Sequence, residues 1–477
     1  MSRKCEARAA AERTFVSFSL EHCAAPAEAM LRPGCLHNQL AMTLSLTCLA
    51  AMHLATMAVA APAVARPQQL QVNYQRAPAL GVGPLLRFSW AVPAADTGST
   101  VQLLPRVQRS YAIVIADAAS NQTVWESGLV NSAESINIEL DGREKLRPGA
   151  AYRWTVACDG GAPSDPAGFV TALWNGFDPA ARWIWAADVN ASQHYANLRS
   201  TAVISASTGK RITTALLFVT AWQEPTMLAS YKFYIDGKLV SLGPGRGEAD
   251  VMSGDPTFLR APYSTVDVTG IITTESILAV EGMAPLFQAP CDLHACQDTN
   301  VRGGGVLAQL ELTFDDGTAA TITTGGSHWD ALPQDAYRNP TVPAVKVGFL
   351  SGETAYSKVL ENIDASKDVV GWKTSNTLSP PWPAAKPSQF SEAGDNHTGT
   401  GELVAKMARP MVVQRVPPAH VQQNQSHPTS FFVDFGKEFQ GGVILNVDDA
   451  KAGTVLRFIA SELLLPNGTF DATTQSR

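Results

Sequence analysis

The residues of this chain that could act as a general acid and a general base lie close together in one glycine-rich loop. Glu248 and Asp250 follow the segment Gly243-Pro-Gly-Arg-Gly247, and Asp255 comes shortly after them. Paired carboxylates can supply both an acid and a base to one reaction. Loop acids two positions apart are, however, ordinarily solvated turn residues. The loop alone therefore does not predict a catalytic site.

Other catalytic patterns are missing from the sequence. The glycine-rich segment lacks the Gly-Lys-Ser/Thr ending of a phosphate-binding loop and follows no strand-to-helix pattern. The nucleophile motif Gly-x-Ser-x-Gly and the zinc motif His-Glu-x-x-His do not occur. We therefore predict that this chain carries no catalytic residues of its own.

The cysteines offer one further candidate for chemistry. Cys291 and Cys296 are separated by four residues and could close a small disulfide loop in an oxidising compartment. A zinc site with His294 is the alternative, although a fourth ligand and the usual Cys-x₂-Cys spacing are missing. Cys158 would remain unpaired and buried. The other four cysteines lie in the first 50 residues: Cys5, Cys23, Cys35 and Cys48.

Length and composition restrict the class of protein. The 477 residues are enough for two or three domains. The net charge of −7 gives no basic surface, which argues against nucleic acid as a partner. With 36 Gly and 30 Pro, and without helical periodicity, the sequence predicts a loop-rich, all-β protein.

Residues 1–65 form a leader unlike the rest of the chain. Residues 40–65 contain no Asp, Glu, Lys or Arg and end in small residues suited to cleavage after Ala60 or Ala65. This pattern predicts a secretory signal and a secreted protein. The stretch in front of it is longer than the usual start of a signal, so either translation begins near Met30 or Met42, or the segment is an uncleaved anchor that holds the chain at a membrane. Five potential N-glycosylation sites also suit secretion: Asn121, Asn190, Asn396, Asn424 and Asn467.

The strand patterns divide the rest of the chain. In residues 67–175, short alternating segments and a Pro148-Gly149 turn before Tyr152 predict a fibronectin type III or immunoglobulin-like sandwich. Residues 182–375 predict a larger β-sandwich, with an Asp236-Gly237 hairpin at its centre and a run at 214–220 apolar enough for a strand buried on both faces. Residues 376–405 predict a Pro/Gly-rich linker without core strands, and residues 406–477 begin a third module.

The central hairpin resembles the N-terminal β-sandwich of α-L-rhamnosidases of glycoside hydrolase family 78. The resemblance covers the hairpin from Tyr231 to Val240, Pro244-Gly245, and the segment from Tyr263 to Thr269. Trp125-Glu-Ser-Gly128 resembles the first module of the same family. Ser357 stands where the family commonly has Asp, which weakens the match there.

The third module is similar to the concanavalin-like sandwich of that family. The matching positions are Asp434, Gly436, Gly442, Gly453, Thr454 and Glu462. Lys437-Glu438 replaces the Gln-Asn of the family pattern, so a sugar contact carried over to these residues is in doubt. The resemblance implies tandem sandwiches: fibronectin type III or immunoglobulin-like, then jelly-roll-like, then the start of a concanavalin-like domain.

The resemblance also implies a function. Family members remove terminal α-L-rhamnose with inversion, using carboxylates of an (α/α)₆ barrel for which this chain has no pattern. Accessory modules that contact a rhamnose-containing glycan, in some cases with Ca²⁺, are therefore expected here. A rim for the sugar is predicted from Trp222, Gln223, Glu224, Arg246, Asp250 and Tyr263. The alternatives are that Trp222 packs under the loop, and that the chain is a secreted carbohydrate-binding or adhesion protein without an enzyme.

Overall fold

The structure, a computed structural model, describes most of the two central modules. The described residues are 5–9, 66–92, 107–187, 195–200, 209–222, 229–245, 260–283, 305–325, 328–338, 362–375, 377–378, 380–388, 402–425, 428–437, 439, 441–448, 450–456 and 458. The predicted signal at 40–65 and the predicted disulfide between Cys291 and Cys296 lie outside these residues. In the described part of the chain, no helix is long and apolar enough to cross a membrane.

The first group of strands forms the module predicted at residues 67–175, together with one separate strand near the N-terminus. These strands are β1 Cys5–Ala9, which lies apart from the group, and then β2 Gln68–Val72, β3 Gln75–Arg76, β4 Ala79–Val82, β5 Leu85–Ala91, β6 Tyr111–Asp117, β7 Thr123–Glu126, β8 Ile138–Asp141, β9 Ala151–Cys158 and β10 Ala167–Thr171. Strands β2–β10 form two sheets, in the orders β3-β2-β5-β8 and β4-β10-β9-β6-β7. We call this pair of sheets the first sandwich.

Aromatic side chains fill the first sandwich. Trp90 and Trp154 are 3% and 1% exposed, and Trp125 packs half-buried against the same cluster. The Trp154 ring lies 4.7 Å from the Phe88 ring. At the Pro-Gly corner, the Tyr152 hydroxyl accepts a hydrogen bond from the backbone N–H of Arg147 at 2.8 Å, which fixes the turn before β9.

The second group of strands is larger and makes two main sheets and one separate pair of strands, formed by Tyr337–Arg338 and Asn362–Ile363. Its strands are β11 Ile184–Trp185, β12 Tyr195–Ser200, β13 Ile212–Ala221, β14 Ser230–Ile235, β15 Lys238–Gly243, β16 Arg260–Asp267, β17 Leu278–Met283, β18 Val306–Phe314, β19 Ala319–Thr323, β20 Trp329–Pro333, β21 Tyr337–Arg338, β22 Asn362–Ile363, β23 Lys386–Pro387 and β24 Glu402–Ala405. One sheet has the order β23-β11-β18-β13-β16-β24, with β19 beside β18, and the other has the order β15-β14-β17-β12-β20. We call this pair the second sandwich.

The predicted hairpin and the doubly buried strand are both present. Asp236 and Gly237 turn β14 into β15 with φ of 49° and 77°, as the Asp-Gly sequence requires. The Asp236 carboxylate accepts hydrogen bonds from the Ile277 N–H at 2.8 Å and the Ser276 hydroxyl at 2.7 Å, so the turn is held from outside. Strand β13 is buried from Thr214 onward and contributes to two separate apolar clusters, one on each face.

Two short strands lie within the range predicted as a linker, 376–405. Lys386–Pro387 pairs with β11 at the sheet edge, and Glu402–Ala405 pairs in parallel with β16. Trp382 is buried beside Trp372 and Tyr234 on the outer face of the β14–β17 sheet. Both strands lie at the edges of their sheet, where a Pro such as Pro387 is tolerated because its missing N–H is not needed. The prediction of a linker without core strands stays a prediction.

The C-terminal segment, residues 406–458, contains little buried surface. Its strands are β25 His420–Gln423, β26 Phe431–Asp434 and β27 Val443–Val447, and β1 pairs with β27. All strands together confirm the all-β class with tandem sandwiches, since the described residues contain only two 3₁₀ turns and no α-helix.

Candidate functional site

The two described aromatic residues of the predicted sugar rim are buried. Trp222 is 3% exposed and packs edge-to-face on Trp183, with ring centroids 5.3 Å apart. Tyr263 is 2% exposed and lies between Phe177 and Phe218. Stacking on a sugar needs an open ring face, so these two rings do not form such a rim here. Trp222 is instead packed inside the protein, as the alternative prediction had it. Gln223, Glu224, Arg246 and Asp250 lie outside the described residues.

Tyr263 instead joins the two sandwiches. Its hydroxyl accepts a hydrogen bond of 2.9 Å from the backbone N–H of Leu173, at the end of the first sandwich. Burial raises the pKa of the Tyr263 phenol far above its ordinary value, so the group stays neutral and keeps this bond at any physiological pH. A second link joins the Asp178 N–H to the Gln309 side-chain carbonyl at 2.7 Å. The junction is therefore both apolar and hydrogen-bonded.

A cleft of about 90 Å³ lies at the polar end of this junction. The first sandwich contributes Asp117 and the corner at Arg147, and the second contributes Thr214, Glu311 and Thr313. Thr214 and Thr313 are direct cross-strand partners on β13 and β18, and Leu216 is the partner of Glu311. The face of this sheet is thus apolar where the sandwiches pack and polar where the cleft opens.

The charged groups on the first-sandwich side of the cleft are fixed by local structure. The Asp117 carboxylate caps its own turn by accepting from the N–H groups of Ala119 and Ser120. It also pairs with the Arg147 guanidinium at 3.1 Å. Burial acts to raise the pKa of Asp117, but the hydrogen bonds from Ser120 and Ala119 and the charge of Arg147 together hold it below its ordinary value. The carboxylate is therefore ionised at neutral pH.

On the other side, Glu311 belongs to a chain of hydrogen bonds. Its two carboxylate oxygens accept from the Gln309 amide at 2.5 Å and from the Thr321 hydroxyl at 2.9 Å. Since Gln309 also accepts from Asp178, the cleft wall is tied to the segment that connects the sandwiches. The sequence did not single out these residues. The only sequence pattern noted beside these residues was the Pro148-Gly149 turn next to Arg147.

A second polar cluster covers the outer face of the β14–β17 sheet. The Glu281 carboxylate is paired with Lys373, lies 3.7 Å from the Lys232 ammonium, and accepts from the Tyr234 hydroxyl at 3.0 Å. Burial raises the pKa of Glu281, but Lys373, Lys232 and the Tyr234 bond outweigh it and lower the pKa below the ordinary value. The Lys373 ammonium also lies 4.2 Å from the centre of the Tyr234 ring. The carboxylate of Glu281 is shared by two lysines, and its contact with Lys373 fastens the segment that carries Lys373 onto the sheet.

The other predicted sites are a buried cysteine, five potential N-glycosylation sites and a metal site. Cys158 is buried, as predicted, and its thiol donates to the Gln108 side-chain carbonyl at 3.0 Å. Of the predicted glycosylation sites, Asn121 and Asn424 are exposed, while Asn190, Asn396 and Asn467 lie outside the described residues. Within the described ranges, no group of three His, Cys, Asp or Glu side chains could hold a metal ion.

Comparison with known proteins identifies relatives of this fold. Residues 67–175 match the family model described as the Rha78A-like, N-terminal immunoglobulin domain. The sequence left a fibronectin type III and an immunoglobulin-like sandwich open for these residues, and the matching family is of the immunoglobulin type. Over 368 residues, or 74% of the chain, the sequence is 26% identical to an α-L-rhamnosidase from Streptomyces avermitilis. The predicted resemblance to α-L-rhamnosidases is thus confirmed.

Solved structures show the same architecture. An α-L-rhamnosidase from Dictyoglumus thermophilum matches 78% of this chain with a TM-score of 0.51 and 18% identity, over 39% of its own length. The native rhamnosidase from Aspergillus terreus matches 78% of this chain with a TM-score of 0.50 and 18% identity, over 38% of its length. At these identities the likeness concerns the fold. The chain spans 31% of the length of the Streptomyces relative.

Proposed function

We propose that this chain is the N-terminal accessory part of a secreted α-L-rhamnosidase-like glycoside hydrolase. The observation that carries the proposal is the 26% identity to an α-L-rhamnosidase over 368 residues. The immunoglobulin-type match at residues 67–175 and the shared fold support it. The carboxylates that act as acid and base in the inverting hydrolysis belong, in this proposal, to the part of the relatives that the chain does not span.

The role of the chain is then to contact the glycan and to hold its modules in a fixed arrangement. The buried junction at Tyr263 and Leu173 supports the second part, because it leaves the two sandwiches no free hinge. Contact with the glycan is expected from loop side chains such as Gln223, Glu224, Arg246 and Asp250, with Ca²⁺ as an optional participant. Cleavage of the leader at 40–65 and glycosylation at Asn121 and Asn424 complete the proposal for a secreted protein.

The test combines a binding assay with an activity assay on the purified chain. A glycan array, with and without Ca²⁺, should show a preference for terminal α-L-rhamnose. The same preparation should not hydrolyse p-nitrophenyl α-L-rhamnopyranoside, since no acid–base pair is assigned to it. Titration with L-rhamnose by calorimetry gives the affinity of any hit, and D-glucose is the matched control sugar.

Two results would contradict the proposal. Hydrolysis of the rhamnoside by this chain, with contaminating enzyme excluded, would place catalytic residues within it. A preference for glycans that lack rhamnose would instead favour a carbohydrate-binding or adhesion protein of another specificity.

A further inference from the structure

The cleft between the two sandwiches contains hydrogen-bonding groups that the protein itself does not use. In the described part of the chain, the hydroxyls of Thr214 and Thr313 have no hydrogen-bond partner. The Arg147 guanidinium uses one nitrogen on Asp117, and its other N–H groups have no partner among the described residues. These three residues line one cleft, and a polar ligand requires donors and acceptors that are free to pair with it.

The charges in the cleft determine which class of ligand fits. The cleft is lined by two carboxylates, Asp117 and Glu311, and one guanidinium, that of Arg147, so the local charge is about −1. An anionic ligand such as a phosphate or an acidic sugar would meet net repulsion. A metal ion would find only two carboxylates beside a fixed positive charge. A neutral ligand that both donates and accepts hydrogen bonds matches the set, which describes a hydroxyl compound.

The size of the cleft restricts the ligand further. Its volume of about 90 Å³ has room for several water-sized groups, since one water needs about 10–15 Å³ of such space. Pockets for drug-sized ligands are larger, at about 300–1,000 Å³. The cleft can therefore take two neighbouring hydroxyl groups and the carbons between them, while the rest of the molecule stays in solvent. Leu216 and Pro148 give those carbons an apolar surface.

We infer that the junction of the two sandwiches is a binding site for the vicinal diol of a small neutral polyol or of one sugar ring. Arg147 donates to a ligand oxygen, Glu311 accepts from a ligand hydroxyl, and the hydroxyls of Thr214 and Thr313 complete the contacts. Because both sandwiches supply groups, the occupied site also strengthens their docking. The proposed function does not depend on this site, since a rhamnosidase-like role can hold with the cleft empty.

The experiment uses two probes that differ by one hydroxyl, cis-1,2-cyclohexanediol and cyclohexanol. In NMR titrations of the whole chain, the diol should shift the backbone amides of Gly149 and Ala150 with a dissociation constant in the millimolar range, as expected for about eight heavy atoms. Cyclohexanol should bind about tenfold more weakly or not at all, because one set of polar groups would stay unpaired.

Variants locate the site. Arg147→Ala and Thr313→Val should each weaken diol binding by about fivefold to tenfold. Arg143→Ala is the matched control, because Arg143 is an exposed arginine of the same sandwich that pairs with Asp141 outside the cleft. Thr313→Val keeps the shape of the side chain, so it remains informative if Arg147→Ala fails to fold. Equal binding of both probes, or full binding in both cleft variants, would overturn the inference.

Discussion

Replacing Tyr263 by Phe tests whether one hydroxyl fastens the two sandwiches together. The Tyr263 ring fills the space between Phe177 and Phe218 in either form, so the change opens no cavity. It removes only the oxygen that accepts from the Leu173 N–H at 2.9 Å. Since this N–H is buried, its unpaired state should cost about 1–3 kcal/mol of the free energy of unfolding. The midpoint of thermal unfolding should fall by several degrees.

Two measurements separate this effect from a general loss of stability. Hydrogen exchange of the Leu173 amide should accelerate by about tenfold or more, since about 1.4 kcal/mol corresponds to a factor of ten. Tyr152→Phe is the matched control: it removes a hydroxyl that accepts from the Arg147 N–H at 2.8 Å within the first sandwich. The control should leave exchange at Leu173 unchanged. If Tyr263→Phe leaves both the exchange rate and the unfolding midpoint at wild-type values, the reasoning is refuted.

Two further predictions concern the second sandwich. Gly282→Ala should lower the free energy of unfolding in urea by about 1–3 kcal/mol, because the new Cβ would lie 2.6 Å from the buried Trp185 ring. Gly168→Ala is the control on a strand of the first sandwich and should cost less, because the nearest atom to its new Cβ is 4.0 Å away. Equal losses in the two variants would contradict the argument. For Glu281, whose pKa is lowered in the folded state, the ionised form contributes stability that is present above the ordinary value of 4.5 and is lost as pH falls through the lower folded value. Urea unfolding between pH 7 and pH 3 should therefore show that Glu281→Gln lowers the free energy of unfolding at pH 7 and that this loss shrinks toward pH 3. A loss that does not depend on pH would exclude the ion pair with Lys373 as its cause.

Local sequence patterns predicted the central hairpin and the strand buried on both faces. The Asp236-Gly237 turn and the alternation of Tyr231, Phe233 and Ile235 correspond to β14, because a two-residue hairpin is determined by its own residues. The hairpin at Asp315-Asp-Gly317 likewise joins β18 to β19. The pattern failed where burial comes from elsewhere in the chain. Tyr234 faces outward on its sheet and is buried by the covering segment at 372–382.

The junction and its cleft could not be predicted in the same way. Leu173 and Tyr263 are 90 positions apart, and Asp178 and Gln309 are 131 apart. No periodicity connects such residues, since their contact depends on how two completed sandwiches dock. From its residue type alone, Tyr263 was predicted to contact sugar. In the structure its ring lies in an apolar interface and its hydroxyl has one buried polar partner, a role that suits the same side chain equally well.

The parallel pairing of β24 with β16 has a mechanical consequence. Glu402–Ala405 lies in register with Arg260–Tyr263, and the Lys406 N–H continues the ladder to the Tyr263 carbonyl at 2.9 Å. A pull on the C-terminal segment along the strand direction would load these rungs in shear, all at once, rather than peel them one by one. Glu402–Ala405 is therefore held to the second sandwich along its whole length, and the resistance of these rungs adds up under such a pull.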